Sequence, residues 1–313
     1  MEFIKDFFIG KSFNPWIFIS FLITLFISFP ILSLLFNVIL NYKSEWNIVL
    51  NIEVWSYLFN SISIIFFQSL TVILFGVTCA WIVTTYNFPF RRMIDLFLLF
   101  PLSIPPYVAA IAYGEIFDYS GYLQTFYRDN FSTDNNSNFL NIRSLPGVIF
   151  IFSITLYPYV YIISRAAFSE ISNTYNEIGK TLGHKQLSIF FKVFLPLAIF
   201  PIIGGVILSI LESLNDFGTV QYYGVDTFTT GIYKTWVGLG DINLATQISV
   251  FFLFFIFLII FLQKKFFSNE KINLKTTFKR KLNLINSTSL KNSFLIIFCL
   301  IPITLGFIIP LMF

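Results

Sequence analysis

The chain of 313 residues is 56% hydrophobic and 20% aromatic, with 43 Phe, and only 12% of it is charged, about half the charged share of a soluble domain. A mean hydropathy of +0.78, spread over several long apolar runs, excludes an ordinary water-soluble globule and a disordered chain and makes membrane lipid the solvent of most of the sequence. The net charge of +4, from 20 Lys and Arg against 16 Asp and Glu, is accounted for by membrane topology, which leaves no nucleic-acid partner to infer.

A helix needs about 20 apolar residues to cross the hydrocarbon, and the runs 16–40, 58–85, 93–117, 146–165, 196–215, 245–262 and 293–313 meet that length. The first follows Lys5 and Lys11, exceeds a signal-peptide core and has no small-residue cleavage site after it, so it reads as a retained span. With the N-terminus in the cytoplasm, only Lys43, Arg128, Arg143 and Lys234 of the 20 Lys and Arg fall outside. That bias sets the orientation. Gly10-Lys11-Ser12 lacks the glycine-rich turn and preceding strand of a phosphate loop. Cys79 and Cys299 sit inside apolar runs away from His184, which implies neither a disulfide framework nor a zinc site.

The third run is interrupted by Pro101, Pro105 and Pro106 and carries Tyr113, Glu115, Asp118 and Tyr119 at its outer end. Broken helices survive in a membrane where the freed backbone faces protein or a cavity. Residues 132–138 form a polar, solvated outer loop. The fifth run ends with Glu212 and Asp216 at i, i+4, expected on one helix face, with Tyr222, Tyr223 and Asp226 close behind. Residues 263–292 read as a Lys-rich solvated tether on the inner side.

The inner segment 166–195 is patterned. Ile171, Tyr175, Ile178 and Leu182 line one helical face, Gly183 breaks it, and Leu187, Phe190, Phe191 and Phe194 line a second. Two short helices bent at a glycine are therefore expected. An apolar stripe suits insertion into a partner's groove, and a glycine fixes the turn. Thr174 to Glu177 also has the form of a local capping box, and a helix lying in the membrane surface is the alternative use of such a stripe.

Glu177-Ile178-Gly179, three residues, Gly183, nine residues and then Val193-Phe194-Leu195-Pro196 resembles the EAA loop of type I ABC importer permeases, whose pattern is E-A-A, three residues, G, nine residues, I-x-L-P. The spacing matches throughout; Ile178 and Gly179 replace the alanines, and Val193 the isoleucine. The resemblance implies an all-α, polytopic membrane protein of about seven transmembrane helices with the type I ABC importer transmembrane fold. It further implies a loop, with Tyr175, Glu177, Ile178, Gly179, Leu182, Gly183, Leu195 and Pro196, that docks on a separate ABC ATPase dimer. ATP and Mg would belong to that partner. This chain would bind no cofactor and be a transport subunit without its own ATPase site.

Carboxylate and phenol oxygens near the third and fifth spans suit a hard cation such as Fe(III) better than an anion, which would call for Arg or helix N-termini. The same groups also fit contacts to a binding protein or to water. Segments 101–124, 156–168 and 213–241 resemble the ferric-iron branch of these permeases, within a likeness running over 58–262. That resemblance implies a periplasmic or surface-tethered iron-binding protein as donor, alternating access in the cell inner membrane, and a substrate path near Pro105, Pro106, Tyr113, Asp118, Glu212, Asp216 and Tyr222. Thiamine or an anion is the alternative cargo within the superfamily. A self-sufficient secondary transporter would want ionisable groups at mid-membrane depth, whereas charges here gather at span ends. The expected organisation is an N-terminal span and outer loop (1–57), the permease module (58–262), and a tether with a further span (263–313). Iron-branch permeases are commonly double-length, so 293–313 is expected to open an absent second module, or the chain pairs with another half-size subunit.

Overall fold

The computed structural model describes residues 15–40, 53–131, 141–181, 183, 185–267, 284–286 and 288–313. Helices α1 (Pro15–Leu40) and α2 (Glu53–Thr85) lead to a two-residue strand β1 (Tyr86–Asn87). Then come α3 (Arg91–Phe97), a 3-10 turn (Phe100–Ser103), α4 (Pro106–Phe117), α5 (Tyr122–Phe131) and α6 (Leu145–Thr181). The short α7 (Gln186–Ile189) passes through a π-helical turn (Phe190–Phe194) into α8 (Leu195–Asn215). The chain finishes with α9 (Gly218–Tyr222), α10 (Phe228–Tyr233), α11 (Ile242–Phe267), β2 (Ile285–Asn286), α12 (Ser289–Ile303) and α13 (Ile309–Met312). Among the described residues six helical stretches are long and apolar enough to cross a membrane, and the bent pair Arg91–Ser103 and Pro106–Asn130 makes a seventh if it is one span.

That pair meets at 89°. The bend follows from prolines: Ile104 and Pro105 take extended ψ values of 112° and 141° because a residue preceding proline is excluded from the helical region. Contacts with α6 show that the pair still crosses. Asp95 accepts from Tyr161 Oη at 2.5 Å and from Arg165 at 2.6 Å, and Tyr157 Oη donates to the Leu98 carbonyl at 3.0 Å. Further along, Tyr113 meets Phe150 edge-on at 5.2 Å, and Asp118 pairs with Arg143 at 3.2 Å. Rising residue numbers on one side meet falling numbers on the other, antiparallel along α6. From Leu145 to Arg165 that is roughly 30 Å of helix, a full hydrocarbon thickness. Among the described residues the pair therefore reads as one kinked crossing, which brings the candidate spans to seven.

Arg91, Arg165, Lys264, Lys265 and Lys291 gather at one end of the bundle, here called inner, and Arg128, Arg143 and Lys234 at the other. Helices α2, α6 and α8 make the tightest packing. Val160 lies between two glycines: a Cβ on Gly76 of α2 would come 2.8 Å from its Cβ, and one on Gly205 of α8 3.0 Å from its Cα. Close backbone approach is what small residues supply where lipid gives no hydrophobic drive between helices. Gln68 Nε2 adds a bond to Ser209 Oγ at 2.8 Å. Gly205→Leu should lower stability by about 2 kcal/mol through overpacking, while Gly204→Leu, with nothing within 4 Å, should change it little. Thermal unfolding of the two purified variants in detergent checks the contrast.

The last span belongs to the same packing. Leu295, Cys299 and Ile303 are buried, Cys299 in the same core cluster as Cys79 of α2, and Tyr113 Oη donates to the Leu305 carbonyl at 2.8 Å. The segment expected to open a second module thus lies against α2, α4 and α6 of this one. The end of the expected tether is likewise held: β2 pairs in parallel with β1, Asn87 donates to Asn286 at 3.0 Å, and Lys291 lies over the Tyr86 ring at 4.3 Å. Residues 268–283, with most of the tether's lysines, lie outside the described residues.

Two π-helical turns share one cause. Pro196 and Pro310 each stand four residues after the middle residue of such a turn, Lys192 and Gly306. A proline within a helix lacks the donor for that carbonyl and its ring crowds it, so the turn widens. The third π-helical turn, Lys234–Gly238, has no such proline.

Candidate functional site

Two places bring together the residues singled out in the sequence, one at each end of α6. This helix has 37 residues, about 55 Å of length against some 30 Å of hydrocarbon. Its last turns therefore project beyond the inner end marked by Arg165.

Tyr175, Glu177, Ile178 and Gly179 lie on those last turns. Their side chains are outside the described residues, as are Leu182 and His184 altogether. The first expected short helix is therefore corrected: it is the end of α6, because no breaker interrupts the chain between Ile171, which is buried, and Gly183. Gly183 takes φ +75° with nothing within 4 Å of an added Cβ, and the chain turns there. The second arm, α7, continues into α8. The expected stripe of Leu187, Phe190, Phe191 and Phe194 is divided, because the π-helical turn changes the residues per turn. Ile189, Phe190 and Phe194 are buried, with Phe190 on Trp81 at 4.7 Å and Phe168 edge-on to Phe190 and Phe194 at 6.1 and 5.9 Å. Leu187 and Phe191 point outward, both 62% exposed. Leu195 packs partly against the core, and Pro196 begins α8 on the surface. An aromatic anchor thus fixes one arm of a glycine-hinged element while an apolar pair faces away from the protein.

At the outer end, Asp118, Arg143 and Tyr222 come together. Arg143 pairs with Asp118 and lies over the Tyr222 ring at 5.2 Å. Gly114 admits that ring, since a Cβ there would meet the Tyr222 hydroxyl at 2.7 Å. Beside them a cavity of about 170 Å³ is lined by Asp118, Tyr119, Gln124, Asn141 and Arg143 among others. Arg143 entered the sequence reading only as an outer charge. Its signal was position, a rare outer cation just before a membrane helix.

The other path residues are separate from this cluster. Pro105 and Pro106 form the bend. Tyr113 is buried and its hydroxyl is spent on the Leu305 carbonyl. Glu212 is exposed on α8, within electrostatic reach of Tyr159 of α6. Asp216 stands at the C-terminal cap of α8: its amide still donates to the Glu212 carbonyl at 3.2 Å and Glu212 is within electrostatic reach of its carboxyl, so the i, i+4 relation is kept, while ψ 123° turns the chain and Oδ1 accepts from the Thr219 amide at 2.7 Å to cap α9. Burial pushes the Asp216 carboxyl up from its ordinary value, against the Thr219 hydrogen bonds that favour the ionised form. Among the described residues no three His, Cys, Asp or Glu side chains come together as a metal site.

Residues 72–271 match the family described as binding-protein-dependent transport system inner membrane component. The sulfate transport system permease protein CysT of Salmonella typhimurium is 28% identical over 183 residues, covering 58% of this chain and 64% of that protein. Its Escherichia coli counterpart is 26% identical over 183 residues, with the same shares. The chain thus spans about 64% of the length of these relatives. A chain in the crystal structure of a bacterial alginate ABC transporter, in complex with an alginate pentasaccharide-bound periplasmic protein, is similar in fold. It has a TM-score of 0.61 at 15% identity and covers 80% of this chain and 93% of that one.

Proposed function

The chain belongs to the family of binding-protein-dependent transport system inner membrane components, the permeases of type I ABC importers, and from that premise we propose that it is the membrane-crossing subunit through which a separate ATPase drives uptake by alternating access. It is a multi-pass protein of the inner membrane, from a family of transport components and not of enzymes. The observation that carries the proposal is α6, one unbroken helix from the Arg143–Asp118 cluster outside to the Gly183 hinge inside. A displacement imposed at Gly183 by a docked partner would be felt at the outer cluster. The inner element would dock through Tyr175, Glu177, Ile178, Gly179, Leu182 and the exposed Leu187 and Phe191, with ATP and Mg held by the partner ATPase dimer. A binding protein would deliver cargo at the outer end, and a second permease half would complete the path. The cation-rich end faces the cytoplasm by the positive-inside rule, which puts the N-terminus inside as well.

For the cargo, Fe(III) is the reading that the likeness of 101–124, 156–168 and 213–241 to the iron branch supports. Glu212 is the open carboxylate that would meet it, passing the ion on without a chelating cage. Sulfate is the second reading, favoured by the relatives' names and by Arg143 at the outer mouth. The two separate by sign. Glu212→Lys should lower ferric uptake at least about tenfold, some 1.4 kcal/mol of barrier, but leave or raise sulfate uptake. Proteoliposomes carrying this chain, its ATPase and its binding protein, given radiolabelled ferric iron or sulfate with and without ATP, test both. Uptake of neither cargo with ATP, or uptake driven by an ion gradient without ATP, overturns the proposal.

A further inference from the structure

Helix α5 is inside out for a helix in water. The side it turns to the protein is polar: Gln124 is only 5% exposed and donates to the Phe117 carbonyl at 2.6 Å. Arg128 lies over the Tyr119 ring at 4.0 Å and donates to Thr125 Oγ1 at 3.3 Å. The side it turns away carries Tyr122 77%, Leu123 42% and Phe126 57% exposed in its first turns, with Asp129 and Asn130 exposed in its last turn. The three apolar residues lie within about 100° of each other around the helix, an apolar patch at the start of α5 on the face opposite Gln124. In contact with water alone the arrangement would be reversed.

The position of α5 says what covers that face. The helix begins four residues after Asp118, whose pairing with Arg143 marks the outer end of the crossing. Gly121 turns the chain there, packed so closely that an added Cβ would come 2.4 Å from the Glu115 carbonyl oxygen. Other exposed aromatic residues stand at the same end: Trp55 at the start of α2 and Trp236 just before α11. Tyr119 and Tyr122 continue this set. Tyr and Trp gather at membrane–water boundaries, where one part of the ring is wet and the other dry.

We propose that α5 lies along the outer membrane–water boundary, with Tyr122, Leu123 and Phe126 set among lipid headgroups and the first acyl carbons. The same helix supplies Gln124 to the wall of the outer cavity. Lipid contact on one face thereby positions the cavity wall on the other. This stands on the geometry of α5 and its depth, and holds whichever cargo the protein carries.

The test uses the full chain in vesicles of phosphatidylcholine and phosphatidylglycerol. The native thiols Cys79 and Cys299 are buried, so Phe126→Cys and Leu123→Cys take a nitroxide label selectively, with Thr125→Cys on another face of the helix as the aqueous control. Folding of each variant is checked by co-purification with the partner ATPase. At 126 and 123 collisions with oxygen should exceed those with a water-soluble nickel complex, several-fold above the ratio at 125, at a depth of about 5–10 Å below the headgroup surface. Ratios at 126 and 123 equal to that at 125 overturn the proposal. So does nickel access that disappears only when a binding protein is added, which would give the face to a protein partner.

Discussion

Gly183→Val is expected to reduce ATP-driven uptake at least about tenfold while the chain remains folded and inserted, about 1.4 kcal/mol or more of lost coupling. The reason is conformational. Gly183 holds φ +75° with nothing within 4 Å of the place a Cβ would take, so no clash arises. A β-branched residue in the left-handed region costs about 1–2 kcal/mol, and here the turn can relax, because its flanks are only the end of α6 and the start of α7. Relaxation to negative φ swings the end of α6, which carries Glu177 to Gly179, relative to the anchored α7 and so changes how that end stands to Leu187 and Phe191. Phe190 and Phe194 stay anchored on Trp81 and Phe168, so the bundle itself is spared. Gly183→Asn, which enters the left-handed region more readily, should keep most of the uptake. The measurement is uptake beside ATP hydrolysis in the same proteoliposomes. Hydrolysis that continues without uptake in the valine variant marks uncoupling, and normal uptake there ends the hinge reading.

The spans were legible because lipid leaves only one signal to read, a run of apolar residues long enough to cross. The prolines announced a broken third span. Its register did not show, because it depends on Asp95, Tyr157, Tyr161 and Arg165 finding each other across the fold. One misreading originates in assuming an unbroken period of 3.6. Leu187 and Phe191 were placed with Phe190 and Phe194 on one stripe, although Pro196 was in plain view as the residue that would widen the turn around Lys192. At the outer site Arg143 went unread because a charge in a loop carries no periodicity, and only Asp118 and Tyr222 around it give it a role.

Gly306→Leu should be strongly destabilising although it lies away from the inner loop. A Cβ at this position would come 2.2 Å from the Ile154 carbonyl oxygen and 3.0 Å from Pro101. Neither neighbour can give way, since Ile154 is backbone within α6 and Pro101 belongs to the 3-10 turn at the bend. The last span must therefore move away, taking the Leu305 carbonyl from the Tyr113 hydroxyl and opening the contact of Cys299 with Cys79. A buried phenol left without an acceptor costs about 1–3 kcal/mol in addition to about 1–3 kcal/mol of overpacking, so a loss of some 3–4 kcal/mol is expected. Tyr113→Phe removes the donor without the overpacking and should cost only about 1 kcal/mol, near the net worth of one hydrogen bond. Unfolding of the purified variants in detergent orders them. Should both variants unfold like the wild type, the last span would not be held against α6 and the bend, and the packing described for it would be wrong.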